Sequence, residues 1–323
     1  MPYKRVAPQI LGVINNSNHI LLVSHEKPDG DTLGASLALA NFLEKQKKAH
    51  KHFCIDSHAN YFNYLPKIEN IINDYNLINL TDHDLVITID CGDIKRTGIA
   101  DDLIKFKKNL TLINIDHHAS NDYFGHYNLI IPQASSTSEI IYDFFYFHDI
   151  KIDKYIATSL LTGILTDTMN FTNAATTQES LKIAADLINN GAKINQITDK
   201  ITQNKNLAAL KLWGELFGRL EFNPQYNFVY TVITQKDLQK NQVSTEEVRE
   251  GLANFLSMIK DVNFILVLTQ ESENQIKGSL RTTKDTINVA KLAQALGGGG
   301  HAKAAGFVIN GQLIKATNGW QIK

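Results

Sequence analysis

Cysteine is nearly absent, with only Cys54 and Cys91 among 323 residues. Neither belongs to a Cys-x-x-Cys pair, which removes the common thiolate metal and redox motifs. Both lie in apolar, strand-like runs, where a free cysteine acts as a small core residue. A dominant charge is missing too: Lys plus Arg (32) almost cancels Asp plus Glu (33). No net basic field exists to hold a long polynucleotide, so a nucleic-acid substrate would be short and locally bound. Long hydrophobic runs are lacking as well, and none approaches the ~20 residues that span a bilayer. The apolar stretch behind Lys4 and Arg5 is broken by Asn15, Asn16, Ser17 and Asn18, which a signal h-region does not tolerate. A cytoplasmic protein with no membrane partner is the expectation. Internal repeats and a Pro/Gly/Ser-rich linker are also missing.

What is present is ordinary globular material, 43% hydrophobic and 20% charged, in a chain too long for one core. Short apolar runs alternate with helix-like segments in the first half. Ile20 to Val23, Phe53 to Ile55, Leu85 to Ile89 and Leu110 to Ile115 read as buried strands, and Asp31 to Lys45 has helical spacing, capped by Asp31 or Thr32. Such alternation predicts an α/β domain, a mostly parallel sheet with helices on both faces. Helical spacing dominates from Ala134 to Leu220. Strand signals return at Phe228 to Val232, Phe264 to Leu268 and Gln275 to Leu280, and a helix over Val289 to Leu296 runs into Gly297 to Gly300. A smaller α/β domain follows from these. The expected division is residues 1–190, a helical linker over 191–214, and 215–323, with a hinge near the polar Lys205-Asn206.

Four polar clusters stand just beyond apolar runs, where an open parallel sheet has its ligand-binding crevice. They are His25-Asp29-Gly30-Asp31, then Asp90, then Asp116-His117-His118, then Asp167 after Leu160 to Leu165. An aspartate after a strand is often only a helix cap or turn former. Four acids and several imidazoles converging on one edge, however, repel and desolvate one another unless cations neutralise them. Carboxylate with some imidazole suits Mn²⁺ above all. Six candidate ligands exceed what one ion needs, so two ions roughly 3.5 to 4 Å apart are expected, an arrangement suited to in-line attack of water on phosphorus.

The same strings resemble a known family. His25-Glu26-Lys27-Pro28-Asp29-Gly30-Asp31, Asp90 with Arg96 and Gly98, Asp116-His117-His118, and Thr162-Gly163 with Asp167-Thr168 are similar to the four motifs of the DHH phosphoesterase superfamily, in the family's order. Gly298-Gly299-Gly300-His301, followed by Ala304-Ala305-Gly306, resembles the nucleotide-binding motif of its DHHA1 subdomain. The likeness runs from about residue 17 to 310. It implies that His25, Asp29 and Asp90 hold one Mn²⁺ and that Asp31, Asp90, His117 and Asp167 hold the other, with Mg²⁺ or Co²⁺ as substitutes. Asp90 is then the bridge, Asp116 orients the neighbouring imidazoles, and His118 faces the scissile phosphate. Arg281 matches the family's substrate-binding arginine. Without that resemblance, Arg281 reads equally as a solvated strand-end charge and the glycine run as a flexible connection.

His50 and His52 read as solvated surface residues, His83 as part of a turn, and His126 and His148 lack partners at ligand spacing. Two departures from the family pattern stand out: Met169-Asn170-Phe171 follows Thr168 where most members carry glycine, and the tail beyond Gly306 is short and polar. The chain has no room for an added oligonucleotide-binding domain and lacks the sensory and membrane segments of the anchored cyclic-di-AMP phosphodiesterases. The resemblance therefore implies a stand-alone nanoRNase/pAp phosphatase. Such an enzyme takes RNA of two to five nucleotides and 3′-phosphoadenosine 5′-phosphate (pAp), binds no long nucleic acid, and is compatible with a homodimer. The alternatives are a soluble phosphodiesterase for pApA or cyclic-di-AMP, and a nucleotide sensor that has lost catalysis.

Overall fold

A computed structural model describes residues 3–108, 110–202, 206–249, 251–316 and 319–323. The chain divides into two compact units, Met1–Asn204 and Lys205–Lys323. The first contains α1 (Tyr3–Asn16), β1 (His19–Ser24), α2 (Gly30–Lys45), β2 (Ala49–Phe53), β3 (Ile71–Ile72), β4 (Leu85–Ile89), α3 (Ala100–Phe106), β5 (Thr111–Asp116) and β6 (Tyr127–Ile130). Helices α4 (Thr137–Phe147), α5 (Lys154–Asp167), α6 (Gln178–Asn189) and α7 (Ile194–Thr202) complete it.

Its strands form one parallel sheet in the order β3-β2-β1-β4-β5-β6. Successive side chains on a strand point to opposite faces. Ile20, Leu22, Ile87 and Ile113 thus enter one core, while Leu21, Val23, Val86 and Leu112 enter another. Burial on both faces explains why these strands read as unbroken apolar runs. Each such side chain contributes about 1.5 to 3 kcal/mol by leaving water. Helices α2 and α5 pack closely where Gly34 and Gly163 remove side chains: a Cβ at residue 163 would meet Asp31 Oδ1 at 2.7 Å.

The α/β prediction matches this architecture, with local differences. The cap of α2 is Asp29, whose Oδ1 accepts from the amides of Asp31 (3.0 Å) and Thr32 (3.1 Å), because only Asp29 has the extended backbone a cap requires. Strand β2 starts at Ala49 and ends at Phe53, where the apolar run was expected to begin. Polar residues fill it because it lies near the sheet edge, and His52 turns inward, 4% exposed, to share a 2.9 Å hydrogen bond with Ser24 Oγ. The surface expectation for His52 is therefore corrected. Asp167 ends a helix, α5, within the stretch of helical spacing.

The second unit comprises α8 (Leu207–Gly218), β7 (Glu221–Asn223), β8 (Phe228–Ile233), α9 (Gln235–Asn241), α10 (Thr245–Arg249), α11 (Leu252–Leu256), β9 (Phe264–Ser272) and β10 (Gln275–Arg281). Then come α12 (Val289–Ala295), β11 (Gly299–Gly300), β12 (Ala304–Asn310), β13 (Leu313–Ala316) and β14 (Gly319–Ile322). A mixed sheet runs β11-β12-β10-β9-β8-β7, with β13 and β14 pairing separately. The segment expected as a linker is shared between the cores: Ile197 of α7 is buried in the first and Leu212 of α8 in the second. Of the expected hinge, Lys205 lies outside the described residues, and Asn206 caps α8. Among the described residues no helix is long and apolar enough to cross a membrane.

Candidate metal centre and phosphate cavity

Strand order in the first sheet reverses between β1 and β4, so the loops leaving their carboxyl ends diverge and open a crevice. His25 follows β1, Asp90 follows β4, and His117 and His118 follow β5. Helix α2 begins at the same edge and brings Asp29 and Asp31, while the end of α5 brings Asp167. All six expected metal ligands therefore meet. With His118 they form three sets, the donor atoms of each set lying within 4.8 Å of one another: His25, Asp29 and Asp90; Asp31, His117 and Asp167; and Asp90, His117 and His118.

The two oxygens of Asp90 serve different sides. Oδ2 lies 3.3 Å from His25 Nε2 and accepts from Thr32 Oγ1 at 2.6 Å. Oδ1 lies 3.8 Å from His117 Nε2 and 3.6 Å from His118 Nδ1, and accepts from Thr137 Oγ1 at 2.8 Å. The backbone of Asp90 is left-handed, φ 61°, a conformation tolerated mainly by Gly, Asn and Asp. Asp31 receives the Thr137 amide at 2.6 Å and the Ser138 amide at 2.8 Å, so its carboxylate sits on the N-terminus of α4.

The charge of the cluster is unbalanced. Burial and the neighbouring Asp90 and Asp167 push the Asp31 carboxyl well above its usual range, against the two amides and helix terminus that favour its ionised form. Burial likewise raises Asp167. Burial opposes ionisation of Asp90 as well, yet the bond with His25 and the charges of His118 and His117 hold its carboxyl well below normal. Burial pulls the His117 imidazole down, but Asp167, 3.1 Å from its Nε2, leads the carboxylates that push it up to about 11. His25 and His118 are raised in the same way. In the protein alone, protons on imidazole offset the carboxylates. Divalent cations would take over that role and release the protons.

The donor set fits such cations. His25 Nδ1 lies 2.6 Å from the Glu26 carbonyl, with Arg96 Nη2 3.2 Å from the same nitrogen, and His117 Nδ1 lies 3.4 Å from the carbonyl of Ala134; in the tautomer in which each Nδ1–H donates to its carbonyl, Nε2 faces the cluster. Arg96 closes the loop behind His25, its carbonyl accepting from the Glu26 amide at 2.7 Å. Asp116, fully buried, accepts from His118 Nδ1 at 2.7 Å and from Asn121 Nδ2 at 2.6 Å. Asn121 also donates to the Cys91 carbonyl, and Asn114 donates to Asn121 Oδ1.

Sequence reading overlooked Asn121, Asn114, Thr137 and Ser138, and took Thr32 only as a candidate helix cap. Asn121 stands five residues after Asp116, and Asn114 is an amide inside an apolar strand, which demands a buried partner. The other signal was Ser136 followed three residues later by Glu139, a helix-start pattern. Ser136 Oγ does accept from the Glu139 amide at 3.0 Å.

The second unit holds a cavity of about 480 Å³ lined by Arg249, Asn254, Arg281, Gly299, Gly300 and Gly306, among others. That volume is typical of small-ligand sites. Burial lowers the pKa of the Arg281 guanidinium, and the groups it bonds are neutral. Gly298 stands behind Gly299, so close to Gly306 and Phe307 that a Cβ would lie 2.6 Å from Phe307 Cα. His301 is exposed in the tight turn joining β11 to β12.

Comparison with known proteins fits this geometry. Residues 19–164 match the model of the DHH family, N-terminal domain, and residues 225–318 match that of the DHHA1 domain. The chain belongs to the DHH/DHHA1 phosphoesterase family, whose members depend on metal. More particularly, it is 28% identical to the bifunctional oligoribonuclease and PAP phosphatase NrnA of Thermus thermophilus, over 95% of this chain and 88% of that one. The protein of the same name from Bacillus subtilis is 25% identical over 93% of this chain and 92% of that one. A crystal structure of an exopolyphosphatase-related protein from Bacteroides fragilis shares 27% identity with a TM-score of 0.84, covering 94% of this chain and 91% of that one.

Proposed function

We propose that this phosphoesterase hydrolyses RNA of two to five nucleotides to mononucleotides and removes the 3′-phosphate of pAp. In this reading two Mn²⁺ ions are held in the first unit, one by His25, Asp29 and Asp90 and the other by Asp31, Asp90, His117 and Asp167. The observation that carries it is the division of the Asp90 carboxylate, one oxygen toward His25 and the other toward His117. Bound divalent ions activate water and stabilise the departing oxygen in phosphate-ester hydrolysis.

The protein's own groups supply the remainder. Asp116 fixes the His118 ring at the edge of the cluster, where it meets the phosphate to be cleaved. The second unit acts as the substrate-binding part: Arg281 and the backbone of Gly298 to Gly300 take a terminal phosphate, with His301 beside them. A near-zero net charge suits such small ligands, since few phosphates need to be neutralised. A cytoplasmic location, as expected from the sequence, goes with this reading.

Initial rates for pApA, pAp and cyclic-di-AMP, in Mn²⁺ and after chelation, test the proposal. Mn²⁺-dependent turnover of pApA and pAp, with little of the cyclic compound, is expected. Prominent cleavage of cyclic-di-AMP would move the protein to second-messenger breakdown. Binding without turnover of any of the three would leave a sensor.

A further inference from the structure

The cavity of the second unit rests on strand alternation. Along β10 Ile276, Gly278 and Leu280 face the buried side, which turns Lys277, Ser279 and Arg281 to the other face. All three line the cavity. Across β12 their partners include Gly306 opposite Ser279 and Ala304 opposite Arg281, residues too small to cover the ladder.

Arg281 is the anomaly of this face. A half-buried guanidinium is commonly matched by a carboxylate, because desolvation penalises an uncompensated charge. Elsewhere in the unit that rule holds: Arg219 bonds both oxygens of Asp237, and Arg249 pairs with Glu271. Arg281 instead donates from Nε to Asn254 Oδ1 at 2.7 Å and from Nη1 to the Leu280 carbonyl at 2.9 Å. Both acceptors are neutral. They fix the plane of the guanidinium while leaving its charge intact, and the remaining N–H groups, three of five, stay available to an anion.

Asn254 is itself held firmly. It lies on α11, whose Leu252, Ala253 and Leu256 are buried in the core of the unit, and it lines the cavity. An aspartate at this place would orient Arg281 equally well but cancel it.

Building on the assignment of Arg281 to a terminal phosphate, we infer that Asn254 is a positioning residue that presents Arg281 to the phosphate monoester end of the substrate. It thereby sets the preference for phosphate-terminated over hydroxyl-terminated dinucleotides. Its amide, rather than a carboxylate, is what makes the site selective for an anion.

KM and kcat measured for pApA and for ApA, which lacks the terminal phosphate, test the inference in a double-mutant cycle with Arg281→Ala. Asn254→Ala is expected to raise the KM for pApA about tenfold, the worth of one charge-assisted hydrogen bond, and to change that for ApA less than about twofold. In the Arg281→Ala background the same substitution should add less than about twofold. Asn254→Asp serves as the second variant, since it keeps an acceptor for Nε and so the local packing; it should weaken pApA at least as much as alanine does. Equal losses on both substrates, an unchanged penalty without Arg281, or normal pApA binding by Asn254→Asp would each overturn the role of Asn254. Should Arg281→Ala itself fail to discriminate pApA from ApA, the phosphate reading of the cavity falls, and the inference with it.

Discussion

The two units carry opposite imbalances of buried charge. In the first, Asp31, Asp90 and Asp167 crowd together and draw protons onto the imbalance through His25, His117 and His118. In the second, the half-buried guanidinium of Arg281 is met, among the described residues, by an amide oxygen and a carbonyl. Uncompensated charge is costly inside a protein, so each imbalance indicates the sign of what the unit is built to receive. The first asks for cations and the second for an anion. A metal-dependent phosphoesterase needs both.

The sharpest way to break the comparison is at Asp90. Asp90→Asn should lower kcat for pApA by roughly a thousandfold and halve or abolish Mn²⁺ binding by calorimetry. Full stoichiometry of metal in that variant would remove Asp90 as the shared ligand. Next comes Asn121→Ala, which leaves Asp116 with one partner fewer. A drop of about 10- to 100-fold in kcat at unchanged KM is expected, in the range seen when groups supporting a metal site are removed; a change in KM alone would contradict it.

Ligand-induced stabilisation tests the two signs separately. Mn²⁺ at a hundred times its Kd should add about 2.7 kcal/mol to unfolding free energy for each ion bound, and AMP at the same multiple about 2.7 kcal/mol for its one site. The Mn²⁺ gain should survive Arg281→Ala, and the AMP gain should survive Asp90→Asn. Loss of either gain in the wrong variant would show that the two sites are not separately charged.

The effect smallest per step of the titration concerns a charge the fold excludes altogether. Burial lowers the His52 pKa to about 3 from the usual 6.5. Between those values the unfolded chain binds the extra proton, so this contribution is complete above about pH 6.5 and is lost as the pH falls toward 3. Its slope reaches about 1.4 kcal/mol per pH unit. Urea titrations from pH 7 to 4 should show a shallower decline for His52→Gln than for the parent chain.

Much of this was legible in the residues. Leu85 to Ile89 is buried on both faces and needed no context to be read as a central strand, and the polar residues at its end marked the crevice. Asp167 was read at the end of an apolar run inside the stretch of helical spacing, and it ends α5. β2 was misplaced because its polar residues, His50, Lys51 and His52, pair with β1 through their backbones, which leaves no hydropathy signal. Asn254 was invisible. Its meaning depends on Arg281, 27 positions away, and nothing in the composition of α11 announces the contact.

The left-handed backbone of Asp90 has a consequence for how this protein can vary. Most side chains strain that conformation, so alanine there combines a lost ligand with a distorted turn. Asparagine keeps the turn, the shape and most of the hydrogen bonds, and differs only in carrying no charge. The one replacement the architecture accepts quietly is thus the one its chemistry tolerates least. A relative with asparagine at this place would fold like its siblings, crystallise like them, and have become a different kind of molecule.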